Sequence, residues 1–511
     1  MPFSFILFIV KFAIILFSLR ERLGFMTNWM TILIIAIILI NTVSAIYTVF
    51  RQERPVATIW AWLLVLILLP GLGFVIYFFL GRKISDKQIF QLNEKEAMGM
   101  TTLVNKNIDD SGKQRFISDY DPELQELIIL LYRSNFSILT ANNEVEIFDE
   151  GKEKIEALLG DIAAAKHHIH IQYYILTPDE VGNRVLDALT KKAQEGVEVR
   201  LLYDALGSRQ LKDKDLEALR AAGGVASAFF GYSTWIQNFR LNFRNHRKIV
   251  VIDGRVGYIG GFNIAKEYIG KGPLGYWRDT HLRVVGEAVQ ALQSRFVVDW
   301  YASTEEDTSL LLAEPELAHD YFPLFPVADK VPMQIVSSGP EDETDQIKMG
   351  YLKMITMARS RIYLHTPYFI PDSPILEALE LAALSGIEVH IMIPCKPDHP
   401  FVYRATEYYS KEVLASGVHV HRYDKGFLHS KMMIVDDRIA SVGTANFDIR
   451  SFRLNFEVNA FIYDKAVVAE LIAQYERDLE DSTVLTQEYF DNQSGWKKFK
   501  QKGSRLLAPI L

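Results

Sequence analysis

Two short segments of the chain carry the same chemically active side chains at the same spacing. Each segment has a His, a Lys two residues later and an Asp five residues beyond the Lys, and an Asn follows ten residues after the Asp. The first copy, "HRKIVVID", and the second, "HSKMMIVD", supply these residues: His246, Lys248, Asp253 and Asn263 in one, and His429, Lys431, Asp436 and Asn446 in the other. One short match arises easily by chance, whereas two in the same register indicate a duplicated functional element.

The residue types indicate chemistry on an anionic group. An imidazole acts as a nucleophile or as a general acid or base near neutral pH. Ammonium and amide groups donate hydrogen bonds to phosphate oxygens, so we predict that Lys248, Lys431, Asn263 and Asn446 bind a substrate phosphate. A metal fits poorly because protonated Lys has no lone pair to offer, and neither an H-E-x-x-H motif nor a Cys cluster occurs. We expect no metal and no cofactor.

The segments themselves predict the elements that position these groups. Side chains two apart on a strand point to the same face, so the His and the Lys of each copy project together. The residues that follow, Ile249–Ile252 and Met432–Val435, are apolar and partly β-branched, which is typical of a strand buried on both faces. Each Asp ends such a strand, where a catalytic role and a structural role at the strand end are equally compatible with the pattern.

The two segments resemble the HKD motifs of the phospholipase D superfamily, and the sequence around them is similar to that of the bacterial cardiolipin synthase family. The second copy lies in "GFLHSKMMIVDDRIASVGTANFDIRSFRLNFEVNAFIYD", and the first lies in "NHRKIVVIDGRVGYIGGFN", followed by "GYWRDTHLRVVG". The resemblance implies an α/β fold of two phospholipase D-like α/β/α sandwich halves with pseudo-two-fold symmetry, preceded by an N-terminal transmembrane helical hairpin. Both His–Lys pairs would then share one cleft.

The resemblance also implies an activity. A cardiolipin synthase transfers a phosphatidyl group reversibly between two phosphatidylglycerols through a phosphohistidine, giving cardiolipin and glycerol. By resemblance, His246 is the nucleophile and His429 the acid/base. Each imidazole needs an acceptor on its second ring nitrogen to fix the tautomer, and we predict that Asp279 in "WRDTH" and Glu457 in "NFEVN" orient the two histidines.

Other functions stay open at this point. A phospholipase D would use water as the acceptor, and another phosphatidyltransferase would use a different alcohol. The formal charge of −8 and the apolar N-terminal segments disfavour a nuclease, so we expect no nucleic acid partner. Intact His, Lys and Asp residues in both copies disfavour a non-catalytic scaffold. The single cysteine, Cys395, excludes an intrachain disulfide.

Strand-like and helix-like segments alternate along both halves. Helical patterns cover 151–165 and 345–358, and strand patterns cover 144–148, 167–175, 197–204, 333–339, 361–370 and 387–394. This alternation predicts βαβ units and a mainly parallel sheet. The junction between the halves is expected near 303–331.

Two apolar stretches near the N-terminus, 29–50 and 57–80, are uncharged and long enough to span about 30 Å of hydrocarbon at about 1.5 Å per residue. They predict a multi-pass cell membrane protein with the bilayer as a partner, and the family resemblance implies phosphatidylglycerol and cardiolipin as further partners. The flanking basic residues give no clear orientation, and the family resemblance implies that the catalytic part is cytoplasmic. Residues 3–19 fit a third membrane segment, an interfacial helix or a stretch before a true start at Met26.

The predicted organisation follows from these segments. It comprises a membrane anchor (1–80), a connector (81–140) with a helix around 122–132, a first phospholipase D-like domain (141–305), a second one (330–485) and a basic amphipathic C-terminal tail (486–511). The tail is equally compatible with lying on anionic lipid and with being a solvated extension.

Overall fold

The computed structural model describes residues 28–51, 56–69, 72–73, 76–77, 117–229, 243–304, 321–323, 325, 327–340, 342 and 344–508. The chain divides into an N-terminal unit and a much larger unit that contains both HKD-like segments. Residues 3–19, residues 81–116 and most of the predicted 303–331 junction lie outside the described part.

The N-terminal unit contains two helices, α1 (Asn28–Arg51) and α2 (Val56–Leu68). Apolar side chains point outward from both, and Ile32, Leu39 and Trp60 are each more than half exposed. Among the residues that the structure describes, no helix combines the length and the apolar character needed to cross a bilayer. The two predicted spans therefore stay a prediction.

The first half of the larger unit forms a mixed sheet in the order β1-β8-β7-β6-β2-β3-β4. The strands and helices between residues 117 and 304 are α3 (Pro122–Asn135), β1 (Asn143–Glu150), α4 (Gly151–Ala164), β2 (His168–Tyr173), α5 (Glu180–Gln194), β3 (Glu198–Asp204), α6 (Asp213–Ala221), β4 (Val225–Phe229), β5 (Arg244–Asn245), β6 (Ile249–Ile252), β7 (Val256–Gly260), β8 (Tyr276–Gly286) and α7 (Ala288–Ser303). Short 3₁₀ helices occupy Ile117–Asp119 and Lys266–Ile269.

The second half repeats this order as β9-β16-β15-β14-β10-β11-β12, and β17 is an additional strand paired to β12. Its elements are β9 (Met333–Ser338), α8 (Gln346–Thr356), β10 (Arg361–His365), α9 (Ser373–Leu384), β11 (Glu388–Pro394), α10 (Pro400–Leu414), β12 (His419–Tyr423), β13 (Gly426–Leu428), β14 (Met432–Val435), β15 (Ile439–Gly443), α11 (Ile449–Arg453), β16 (Asn455–Ile462), α12 (Lys465–Glu480), β17 (Ser482–Leu485), α13 (Gln487–Asp491) and α14 (Gly495–Leu506).

The expectation of a mainly parallel sheet is wrong. Strands β2, β3 and β4 are parallel, as are β10, β11 and β12, but the remaining strands of each half run mostly antiparallel. The cause is visible at Asp253 and Gly254, which both have positive φ and begin the three-residue turn, 253–255, between β6 and β7. An Asp-Gly turn of this kind joins neighbouring strands antiparallel, whereas parallel pairing needs a long crossover.

The strands that follow the two HKD-type histidines are buried on both faces. In β6, Ile249 and Val251 pack in a core that also contains side chains of the second half, while Val250 and Ile252 pack in the core of the first half. In β14, Met432 and Met433 divide between the shared core and the second-half core in the same way. The two sheets therefore share one apolar interior, which fixes the two halves against each other.

Helix α3, expected in the connector, packs on the second half. Leu124, Leu127, Ile128 and Leu131 lie in the same core as the apolar residues of α8 and β10. Asp121 caps the helix by accepting hydrogen bonds from two backbone N–H groups, and Pro122 stands at its first position, as is favourable there. The part of the connector that the structure describes therefore belongs to the fold of the larger unit.

Candidate active site

Each HKD-type histidine lies where a short strand of its own half pairs with a long strand of the other half. Strand β5 runs parallel to β16, and the His246 N–H donates to the Phe456 carbonyl at 2.9 Å. Strand β13 runs parallel to β8, and the His429 N–H donates to the Arg278 carbonyl at 2.7 Å. The two halves therefore exchange the segments that carry their imidazoles.

The exchange brings each imidazole to a carboxylate of the opposite half. The Nδ1 atom of His246 lies 3.0 Å from both carboxylate oxygens of Glu457 and 3.1 Å from the Thr444 carbonyl. The Nδ1 atom of His429 lies 2.6 Å from Asp279 Oδ2. Nδ1 is thus the engaged nitrogen in both rings, and Nε2 is the nitrogen that remains for chemistry.

Both imidazoles are held neutral by their surroundings. Burial lowers the pKa of His246 to about 4, opposed by Glu457, and lowers the pKa of His429 to about 3, with Lys431 adding to the effect and Asp279 opposing it. Burial raises the pKa of Glu457, but His246 and Lys248 outweigh that effect and the net shift is downward. The His246–Glu457 pair is therefore a neutral imidazole that donates to a carboxylate.

Each lysine donates to the backbone of the histidine in its own segment. The Lys248 ammonium donates to the His246 carbonyl at 2.6 Å, and the Lys431 ammonium donates to the His429 carbonyl. Burial is the largest cause that lowers their pKa values, to about 7 for Lys248 and about 8 for Lys431. Each imidazole's pKa is also lowered by the lysine of the other half. These electrostatic effects support the convergence of the two half-sites on one region.

The predicted asparagines differ in their contacts. Asn263 accepts from the Ile175 N–H at 3.1 Å and donates to the Tyr268 hydroxyl at 2.6 Å, so its side chain joins two loops beside the site. The side-chain oxygen of Asn446 is buried and has no hydrogen-bond partner among the described residues. Its backbone N–H donates to the Ser451 hydroxyl at 3.2 Å.

The two HKD-type aspartates lie at the opposite ends of β6 and β14 from the histidines. Asp253 accepts hydrogen bonds from the backbone N–H groups of 166–168 at 2.7–3.0 Å. Asp436 accepts from the backbone N–H groups of 359–361 and from the Ser360 hydroxyl. Both residues have φ of 52°. The structure does not bring them to the imidazoles, and each fastens the start of the neighbouring strand.

Sequence reasoning missed the aromatic walls of the site. The Tyr174 ring packs edge-on against His246 with centroids 4.9 Å apart, and the Lys248 ammonium lies 5.4 Å from the centre of the same ring. Trp277 and Tyr268 pack around His429, at 5.3 and 5.9 Å between centroids. Single aromatic residues are too common in a sequence to predict such a wall, although Trp277 stands two residues before Asp279.

Sequence reasoning also missed the residue between each His and Lys. Arg247 is fully buried, donates to the Glu457 carbonyl at 3.0 Å and pairs with Asp299 at 2.8 Å. Ser430, in the same place of the second copy, lies 2.8 Å from the Thr280 hydroxyl. The contacts Arg247–Glu457 and Ser430–Thr280 join the halves next to the two His-orienting carboxylates, and nothing in the spacing of the motif predicts them.

Comparisons with known proteins agree with this geometry. The model described as "Cardiolipin synthase, PLD-like domain" matches residues 158–299 and 351–479, and the model "Phospholipase D-nuclease N-terminal" matches residues 30–82. A cardiolipin synthase from Listeria innocua is 48% identical, over 94% of this chain and 99% of the relative. The major cardiolipin synthase of Bacillus subtilis is 46% identical over the same shares of the two chains.

A solved structure shows the same fold. The phosphatidylserine synthase of Haemophilus influenzae aligns with a TM-score of 0.58 at 15% identity, and the alignment covers 76% of this chain and 100% of that one. At this identity the likeness concerns the fold alone. It supports an α/β architecture built from two phospholipase D-like halves.

Proposed function

The chain belongs to the cardiolipin synthase family of phospholipase D-like enzymes, and from this membership we propose that its two-histidine site transfers a phosphatidyl group from one phosphatidylglycerol to another. The products are cardiolipin and glycerol, and the protein is a phosphatidyltransferase. The observation that carries the mechanism is the pair of imidazoles, each held at Nδ1 by a carboxylate of the opposite half.

In the first step, Nε2 of His246 attacks the phosphorus of phosphatidylglycerol. A P–N bond forms and the P–O bond to the headgroup glycerol breaks, while His429 gives its proton to the departing oxygen. The products of this step are a phosphatidyl-histidine and glycerol. The low pKa of His246 supports its role, because only the neutral ring has a lone pair to attack with.

The acid role requires a protonated His429 in the complex with lipid. In the protein alone, burial and Lys431 hold the pKa of His429 at about 3. A phosphodiester carries a negative charge, which offsets the two ammonium groups and favours the imidazolium. Asp279, at 2.6 Å from Nδ1, stabilises the same charge. Substrate binding therefore raises the pKa of His429 and favours the protonated form that acts as the acid.

In the second step, a glycerol hydroxyl of another phosphatidylglycerol gives its proton to His429 and attacks the phosphorus. The P–N bond breaks, cardiolipin forms and His246 returns to its neutral state. The first step replaces a P–O bond with a P–N bond, and the second step replaces the P–N bond with a P–O bond. The overall reaction therefore breaks and forms bonds of the same kind and is reversible. Throughout, Lys248 and Lys431 donate to the non-bridging oxygens, where negative charge accumulates.

Asn263 and Asn446 extend this set of phosphate donors in the proposal. Each side-chain amide carries two N–H groups, and the bond from Asn263 to Tyr268 uses one of them. Asp279 and Glu457 orient the histidines. Asp253 and Asp436 support the site from the far ends of their strands, and the mechanism needs no metal or cofactor.

The proposal includes a membrane anchor. The match to an N-terminal family model over residues 30–82 and the outward apolar side chains of α1 and α2 support it. Residues 29–50 and 57–80 are the proposed spans, and domains 141–305 and 330–485 are proposed to lie on the cytoplasmic side. The hairpin would keep the cleft at the lipid surface, where lipid hydroxyls compete with water through their high local concentration.

A lipid product assay tests the proposal. Purified protein is given phosphatidylglycerol in mixed micelles with a chelator, and cardiolipin and glycerol should appear in equal amounts. Phosphatidic acid as the sole product would replace the synthase with a phospholipase D. Loss of activity on chelation would refute the metal-free mechanism. His246→Ala and His429→Ala serve as controls for contaminating activity.

A further inference from the structure

Helix α14 near the C-terminus buries polar side chains and exposes apolar ones, the reverse of an ordinary surface helix. Its buried residues are the polar Gln501 and Ser504, whereas Trp496, Phe499 and Leu506 are exposed by 66%, 64% and 81%. A surface helix normally turns its apolar stripe towards the core. The folded chain thus leaves an amphipathic helix with its apolar side facing outward.

Polar contacts hold the helix in this orientation. Glu407 of α10 is almost fully buried, and it accepts from Gln501 at 3.2 Å and pairs with Lys497 at 2.7 Å. Arg505 donates to the Tyr408 hydroxyl at 2.9 Å. Turning the apolar side inward would leave the Glu407 carboxylate buried without these partners, which is costly. The outward aromatic side is therefore a fixed feature of the fold.

The exposed side chains form one stripe. Positions 496, 499, 503 and 506 follow the spacing of a single helix face. The rings of Trp496 and Phe499 stack with centroids 5.5 Å apart, and the Lys500 ammonium lies 5.3 Å from the centre of the Trp496 ring. The stripe is thus an apolar face made of Trp496, Phe499 and Leu506, interrupted at Gly503, with a cation at its edge.

The charge of α14 is opposite to that of the chain. Its sequence, GWKKFKQKGSRL, contains five basic residues and no acidic one, in a protein of formal charge −8. Basic residues beside an apolar stripe of Trp, Phe and Leu match the interface of a bilayer that contains anionic lipid. At about 1.5 Å per residue the helix is about 18 Å long, too short to span and long enough to lie on the surface.

A second copy of the chain fits this surface less well. A symmetric contact would place the same basic helix against itself, so like charges would face each other. Two aromatic side chains of about 150–250 Å² each, together with one Leu, also supply less than the about 800 Å² per partner of a stable protein interface. The charge and the size of the stripe both favour a lipid surface.

We propose that α14 is an interfacial helix that seats the catalytic unit on anionic membrane, separately from any N-terminal anchor. Trp496, Phe499 and Leu506 enter the headgroup region, while Lys500 and Lys502 lie at the level of the lipid phosphates. The contact concentrates the catalytic unit on membrane rich in anionic lipid, which is the chemical class of the proposed substrate.

A spin label on the stripe tests this proposal without using activity. The full chain carries Cys395→Ser, Phe499→Cys with a nitroxide, and His429→Ala so that the lipid composition stays constant. It is reconstituted in phosphatidylcholine vesicles with or without phosphatidylglycerol. With phosphatidylglycerol, the label should become accessible to oxygen and protected from a water-soluble nickel chelate. Salt at 1 M, where the screening length is about 3 Å, should reverse the protection.

Each other result overturns the proposal. Accessibility to the nickel chelate in both vesicle types means a solvated helix. Dipolar broadening between labels, without protection by anionic lipid, means contact with a second copy. Because the labelled protein is inactive by design, neither result bears on the proposed phosphatidyl transfer.

A kinetic comparison in otherwise unmodified protein gives a second measurement. Lys500→Gln should raise the mole fraction of phosphatidylglycerol at half-maximal rate about five-fold, the value for one basic residue at an anionic surface, and should leave kcat unchanged. Trp496→Ser should raise it as well. Val225→Ser, which changes an apolar residue exposed by 45% at the start of β4, is the matched control and should have no effect. Equal behaviour of all three variants would contradict the proposal.

Discussion

The two half-sites contain the same residue types, but they differ in the number of hydrogen-bond acceptors that fix each imidazole. Nδ1 of His246 has two acceptors, the Glu457 carboxylate at 3.0 Å and the Thr444 carbonyl at 3.1 Å. For Nδ1 of His429, the described residues supply a single acceptor, Asp279 at 2.6 Å. The orientation of His429 therefore depends on one carboxylate, whereas that of His246 has a second support from the backbone.

The surroundings of the two carboxylates differ as well. Glu457 accepts from the Thr444 hydroxyl at 2.6 Å and from the Asn455 amide at 3.2 Å. Asp279 packs against the backbone of Gly261, where an added Cβ would lie 1.9 Å from its Oδ1 atom. A fully buried ammonium, Lys154, acts on Asp279 electrostatically, and burial lowers the pKa of this lysine to about 7. The two copies of the motif thus have different hydrogen-bond and packing surroundings.

The largest expected effect is the loss of activity on replacing either histidine, and the two variants should differ in how their activity depends on the leaving group of the substrate. His246→Ala and His429→Ala should each lower kcat with phosphatidylglycerol by about 10⁶-fold, as for other residues that act as a unit. With a phosphatidyl-nitrophenol, whose leaving group needs no acid, only His429→Ala should still form the phosphoenzyme. Rapid quench with radiolabelled lipid measures this. Phosphoenzyme in His246→Ala and none in His429→Ala would reverse the two roles.

The next effect compares the two orienting carboxylates. Asp279→Asn should lower kcat by about 10⁴-fold, because the amide allows the wrong tautomer at a ring with no second support. Glu457→Gln should cost less, about 10²-fold, because the Thr444 carbonyl still accepts from Nδ1 of His246. Steady-state rates with phosphatidylglycerol measure the ratio. Equal losses would show that the second acceptor has no influence.

A smaller effect concerns protons taken up with the substrate anion. The folded-state pKa values of Lys248 and Lys431, about 7 and 8, lie below the usual 10.5. Between these values and 10.5 the unfolded chain binds more protons than the folded chain. The contribution of the two lysines to folding stability therefore rises with pH over that range. An anion in the site raises both pKa values. Affinity for dimethyl phosphate should therefore fall between pH 7 and 9, by about tenfold per pH unit for each proton taken up.

Titration calorimetry in two buffers of different ionisation enthalpy counts these protons. Lys431→Met should take up fewer protons than the unmodified protein. A binding enthalpy that is the same in both buffers, with an affinity independent of pH, would contradict the coupling.

The smallest expected effect on catalysis is at the HKD-type aspartates. Asp253→Ala and Asp436→Ala should lower the free energy of unfolding by about 1–3 kcal/mol, because each leaves several backbone N–H groups without an acceptor, and should leave kcat near its normal value. Asp437→Ala is the matched control, since this neighbouring carboxylate is exposed and ion-paired with Arg361, a contact worth about 0–1 kcal/mol. A large loss of kcat without a loss of stability would instead assign the aspartates to catalysis.

Local patterns predicted the strands and helices well where one segment decides its own structure. The strand patterns at 144–148 and 197–204 correspond to Asn143–Glu150 and Glu198–Asp204, and the helical pattern at 151–165 corresponds to Gly151–Ala164. The same patterns failed on strand direction, because hairpin turns such as Asp253–Gly254 make neighbouring strands antiparallel. They also assigned the helix around 122–132 to a connector, although its apolar face completes the core of the second half.

By itself, the sequence determined the chemistry available: two imidazoles and two ammonium groups at the mouths of buried strands, because spacing along one strand decides which side chains project together. Only the tertiary structure decided which carboxylate serves which imidazole. His246 and Glu457 are 211 residues apart, and their contact depends on the parallel pairing of β5 with β16. No local pattern encodes such a register, because it is set by the packing of two halves around a shared core.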